Sequence, residues 1–100
     1  MGLFNALSSI NEVNKLLKDL ENQVRISQDQ VERGDPLVYL QNSLNVLKQI
    51  HQSLINVFSN SRGACTAVYT IFGDKMRMED VLTYSKNVIM NLAVIIESRS

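Results

Sequence analysis

Residues 35–60, DPLVYLQNSLNVLKQIHQSLINVFSN, decide the fold. Leu37, Leu40, Leu44, Leu47, His51, Leu54 and Phe58 recur at alternating steps of three and four, the spacing of one helical face. Tyr39, Ser43, Val46, Ile50, Ser53 and Val57 repeat that rhythm on an adjacent face. A helix with two apolar stripes is contacted from two sides, which places it in the middle of a bundle. Its remaining face, Gln41, Asn42, Asn45, Lys48, Gln49, Gln52 and Asn56, carries a single charge.

Upstream, Leu3, Ile10, Leu17, Val24 and Val31 sit seven apart, with Ala6, Val13, Leu20 and Ser27 three residues after the first four. Only Ser27 breaks this seam, and no Pro or Gly interrupts residues 3–33. The outer face mixes both signs of charge at i,i+3 and i,i+4 spacings, as a solvated helix surface does. Such a helix is about 45 Å long. Gly34-Asp35-Pro36 then supplies a left-handed closure, a candidate cap at Asp35 and a proline at the first helical position. So short a connection predicts antiparallel neighbours over 3–33 and 36–59. If Asp35 is the cap, Asp35→Ala costs about 0.5–2 kcal/mol.

Downstream, Ser59-Asn60-Ser61-Arg62-Gly63 reads as a turn. Residues 64–72 (ACTAVYTIF) have strand-like composition but no visible partner strand, so a short helix stopped by Gly73 is expected, with residues 74–78 as a connector. The last helix is expected from about Glu79 to Ser98. Its stripe is Val81, Leu82, Ser85, Val88, Ile89, Leu92, Ile95 and Ile96, and Glu79 and Asp80 favour its positive end. The fold class is therefore all-α: an antiparallel bundle of two long helices, one short helix and a C-terminal helix, in one domain over residues 1–100. The first helix is expected on the Leu stripe of the second, and the last helix on the stripe of Tyr39, Val46, Ile50 and Val57.

Ten basic and ten acidic residues cancel, so the chain lacks the basic surplus that phosphate-backbone binding requires, and no nucleic-acid partner is expected. Glu79 and Asp80 at the start of the last helix would also repel phosphates in a helix-turn-helix. One cysteine, Cys65, makes no intramolecular disulfide, and the thiol is expected to be structural and slow to react. MGLFNALSSI lacks the basic start and apolar run of a signal peptide, and Ala6 stands where a myristoylation motif wants Ser or Thr. Val88 to Ile96 is too short to span a bilayer. A cytoplasmic protein without a membrane partner is the expectation.

One His and one Cys make no zinc-ligand set, and no phosphate-binding glycine pattern is present, so neither metal, cofactor nor catalytic residues are expected. A Cys65–His51 nucleophile–base pair has no third orienting group in view. His51, mid-helix in a small all-α chain, resembles histidine phosphotransfer domains in size and class. That resemblance implies a phosphoryl acceptor at His51. The family's motif places Lys or Arg a turn after the His and a small Gly nearby; here Leu54 and Ile55 hold those positions. On its apolar stripe, His51 is expected to be mostly buried, to fix register and to accept no phosphoryl group. Secreted helical hairpins of similar length carry a Trp-x-Gly turn, and this chain has no Trp.

By elimination the chain reads as a non-enzymatic protein-interaction module: an adaptor, small chaperone or immunity-like binder. Between Val81 and Ile96, Lys86 is the only charge of the last helix. Asn87, Met90, Asn91 and Val94 lie off its core stripe, and they are the candidate interface of a homodimer.

Overall fold

A computed structural model of the chain describes residues 3–100, with side chains from residue 5 onward. Leu3, the first seam position, and the terminal Met1-Gly2 lie outside the described side chains. Helix α1 spans Leu3–Arg33, α2 Leu37–Asn60, α3 Arg62–Thr66 and α4 Met78–Arg99, with strands β1 (Tyr69–Ile71) and β2 (Asp74–Met76) between α3 and α4. The described residues form an all-α bundle with one small hairpin. Its long dimension, 49 Å, is set by the uninterrupted α1.

The seam of α1 is the core seam: Val13, Leu17, Leu20 and Val24 are buried and meet Leu40, Leu47, Leu54 and Phe58 of α2 in one cluster. Ser27 is buried too, and its hydroxyl donates to the Gln23 carbonyl one turn back, so the polar atom is satisfied inside the helix. The turn closes as a Schellman motif. Gly34 takes φ +67°, its N–H reaches Val31 O at 3.2 Å, and Asp35 N–H reaches Gln30 O at 3.0 Å.

Asp35 does not cap α2. Pro36 occupies the capping position with extended ψ and α2 has no side-chain cap, while the Asp35 carboxylate turns back to Arg33 at 3.0 Å. The guanidinium one position before Gly34 competes for the carboxylate and wins it.

The expectation for residues 64–78 is corrected as well. The helix there is only α3, and Tyr69–Ile71 is a strand paired antiparallel with Asp74–Met76, in register Tyr69↔Met76 and Ile71↔Asp74. The partner was hidden because Asp-Lys-Met has little strand propensity. Burial of Tyr69 and Ile71 on one face drives the pairing, with exposed Thr70 between them. Ser61 ends α2 and begins α3, its Oγ accepting from Ala64 N–H at 3.2 Å.

Helix α4 returns alongside α1 and antiparallel to α2. Arg77 near its start donates to Thr66 O, and Arg99 at its end donates to Val31 O. Helix α4 does not take the Tyr39 stripe of α2, as the sequence led one to expect, but shares the Leu stripe with α1. Ser43, on the Tyr39 stripe, donates to Gln30 of α1, whereas His51, on the Leu stripe, bonds Ser85 of α4. Tyr39 and Val46 remain exposed at the α1 edge. No described helix is long and apolar enough to cross a membrane.

Candidate functional site

Helix α4 buries Val81, Ser85, Leu92 and Ile96, spaced in fours and a seven, and thereby turns the opposite face outward. On that face Met90 is 53% exposed and Val94, at 64%, is the most exposed large hydrophobic among the described residues. Asn87 and Asn91 beside them are exposed and uncharged. The structure thus brings all four sequence-predicted interface residues onto one solvent-facing strip, with Lys86 the only charge between Val81 and Ile96.

The strip borders a groove that sequence periodicity does not announce. Both α1 and α4 pack on α2 more than on each other, and the gap between them is a trough of about 500 Å³. Val24 and Val31 line it from α1, and Tyr84, Val88, Leu92 and Ile95 from α4, with Asn91 at its edge. Short β-branched valines on both walls leave the gap unfilled. The Tyr84 phenol at one end is pushed above its ordinary value by burial and by the Glu21 carboxylate. Asn91 belongs to both features, so ridge and groove are one continuous surface.

His51 lies on the other edge of α4, at the seam with α2. It is partly buried, less than expected for its stripe, at the seam where it meets Ser85. Its Nδ1 lies 2.5 Å from Ser85 Oγ, and the fully buried Ser85 hydroxyl donates to Leu82 O at 3.1 Å. Burial, with the charge of Lys86 second, lowers the His51 pKa below its ordinary value, so the ring is neutral at pH 7.

No protein-family model matches this chain, and neither does any curated protein or solved structure. The remaining chemistry is therefore read from geometry alone.

Cys65 and His51 do not meet. The Cys65 thiol, partly buried, donates to Phe58 O at 3.0 Å. It lines an open cleft of about 790 Å³ between the start of α1 and α3, together with Ser9, Asn60, Ser61 and Arg62. Among the described residues no three His, Cys, Asp or Glu side chains cluster as a metal site. Two features escaped sequence reasoning altogether: the α1/α4 trough, and Ser85 as the partner of His51 across 34 residues. The second had a signal, since both residues are polar members of apolar stripes.

Proposed function

We propose that this protein is a non-enzymatic interaction module of the cytoplasm that binds an apolar helix on the outer face of α4, and that it does so with a second copy of itself. The observation that carries this reading is Val94, the most solvent-exposed large hydrophobic among the described residues, beside Met90 in a stretch whose only charge is Lys86. Covering one such side chain stabilises a complex by about 1.5–3 kcal/mol before association costs. No charged group on the strip has to be desolvated. A two-fold axis at Asn87, Met90, Asn91 and Val94 sets like residues against each other, and the zero net charge of the chain leaves little long-range repulsion between copies.

Light scattering at tens of micromolar tests it. The expected mass is about twice 11.3 kDa. Val94→Glu is expected to halve the mass with the far-ultraviolet dichroism unchanged. A wild-type monomer, or a Val94→Glu variant that remains dimeric, removes the homodimer from this reading.

A further inference from the structure

The trough between α1 and α4 has apolar walls and one charged end. Val24 and Val31 of α1 line it with Val88, Leu92 and Ile95 of α4. Val24 to Val31 is about 10 Å of helix. The volume, about 500 Å³, is that of a small-molecule site. The two helices run parallel here, since Glu21 acts on Tyr84 at one end and Arg99 reaches Val31 O at the other. Burial and Glu21 together hold the Tyr84 phenol neutral. Of the lining residues, Glu32 alone is ionised.

That charge stands where the helix itself favours cations. Glu32 is in the last turn of α1, at the negative end of the helix dipole. Among the described residues no hydrogen bond or ion pair engages its carboxylate. Arg33, the cation next to it in sequence, is taken by Asp35. The chain's own Arg99 already seats a cation at this end, its guanidinium donating to Val31 O at 3.3 Å. An anionic head would meet both the carboxylate and the carbonyl end of α1. A positive head is attracted by both, and an apolar body covers valine, leucine and isoleucine without burying an unpaired charge.

We propose that the α1/α4 trough binds a single-chain amphiphilic amine, its alkyl chain laid along Val24, Val31, Val88 and Leu92 and its ammonium group at Glu32. The ammonium donates to the Glu32 carboxylate. Arg99, exposed and held by one hydrogen bond, is its rival for that end of the trough. Of the trough residues only Asn91 belongs to the strip assigned to the second copy, so the site does not depend on self-association.

The test is titration of the full chain with octylammonium, octanoate and octanol at low ionic strength, read in methyl proton–carbon correlation spectra. Octylammonium is expected to shift the methyls of Val24, Val31, Val88 and Leu92 saturably. It is expected to bind about fivefold more tightly than octanoate, or better. Glu32→Gln is expected to weaken octylammonium about threefold and to leave octanol unchanged. Arg99→Gln is expected to tighten octylammonium by removing the rival cation. Both side chains are exposed, so neither substitution disturbs the core. Octanoate binding as tightly as octylammonium, an affinity indifferent to Glu32→Gln, or shifts confined to Met90 and Val94 overturns the proposal. Shifts that grow without saturating overturn it as well.

Discussion

The backbone N–H of Phe72 donates to the Glu21 carboxylate at 2.7 Å, across 51 residues of sequence. Phe72 has φ +49°, and Gly73 follows at +84°, the two positive values that a two-residue hairpin loop of this kind requires. A phenylalanine is a poor occupant of that conformation, where Asn or Gly is at ease. Helix α1 holds it there from two sides: Glu21 takes its N–H, and Arg25, one turn on, lies over its ring at 5.1 Å from the centroid. The hairpin is thus clamped to α1 through its least comfortable residue.

Glu21→Ala is therefore expected to cost about 1 kcal/mol, the worth of one hydrogen bond to a charged acceptor at a partly wet site. Amide exchange at Phe72 is expected to accelerate more than exchange at Leu47 or Leu20. Equal acceleration everywhere would show that the bond contributes to global stability without clamping the turn.

The same hairpin shows where the sequence stops being readable. Gly34-Asp35-Pro36 dictated an antiparallel pair of helices because closure of α1 is a local matter, and the heptad seam foretold Val13, Leu17, Leu20 and Val24 as core because burial follows period. Met90 and Val94 were legible as outward-facing for the same reason. Strand β2 was not, since Asp74-Lys75-Met76 is held by its partner and by what the partner buries. Asp35 was misread because two acceptable partners, the α2 amides and Arg33, lay within reach and sequence does not rank them. The seat of α4 on α2 was misplaced for a similar reason: both stripes are apolar, and only the packed bundle decides which one α4 covers. The α1/α4 trough is a product of helix spacing, which no single helix encodes.

The protonation of His51 gives a stability prediction with a definite sign. Its folded pKa lies below the ordinary 6.5, so below that pH the unfolded chain binds the proton that the folded chain resists. Stability is full above about pH 6.5 and falls as pH drops toward the folded value. Besides burial, the charge that acts on the ring is that of Lys86 on α4. Urea midpoints at about pH 7.5 and about pH 5.5 are expected to differ more for the wild type than for His51→Gln. Identical pH dependence in the two proteins would contradict the lowered value.

Tyr69 is a second buried titratable group, 1% exposed, with its hydroxyl donating to Ala64 O at 2.6 Å and its ring edge-on to Phe58. Tyr69→Phe leaves that carbonyl without its partner and is expected to cost about 1–3 kcal/mol. Burial, with Cys65 second, pushes the phenol from 10.0 up to about 12. The folded state thus keeps a proton that the unfolded chain loses, and stability present below about pH 10 is lost as the pH rises toward 12. Chemical denaturation at alkaline pH, compared with Tyr69→Phe, reads this directly: the difference between the two proteins is expected to shrink above pH 10.

Gly63 is held by space, not by backbone conformation, since its φ is not among the positive ones. A Cβ built there falls 2.6 Å from Ala6 Cβ and 3.3 Å from Ala6 Cα, so α3 crosses the start of α1 at a distance only glycine permits. Neither contact is the end of a flexible side chain, and relief has to come from moving one helix away from the other. Gly63→Ala is expected to cost about 1–3 kcal/mol, the range for inserting a methyl into a filled contact. Separation there also opens the cleft beside Cys65, whose thiol is held against Phe58 O. Labelling of Cys65 by a thiol reagent is therefore expected to be slow in the wild type and faster in Gly63→Ala. The decisive check is the compensating change. Ala6→Gly removes the clashing methyl at a cost of about 1 kcal/mol in helix propensity on its own, so the double variant Ala6→Gly/Gly63→Ala is expected to be more stable than the sum of the two single losses. Strict additivity would mean that α1 and α3 do not meet at these residues.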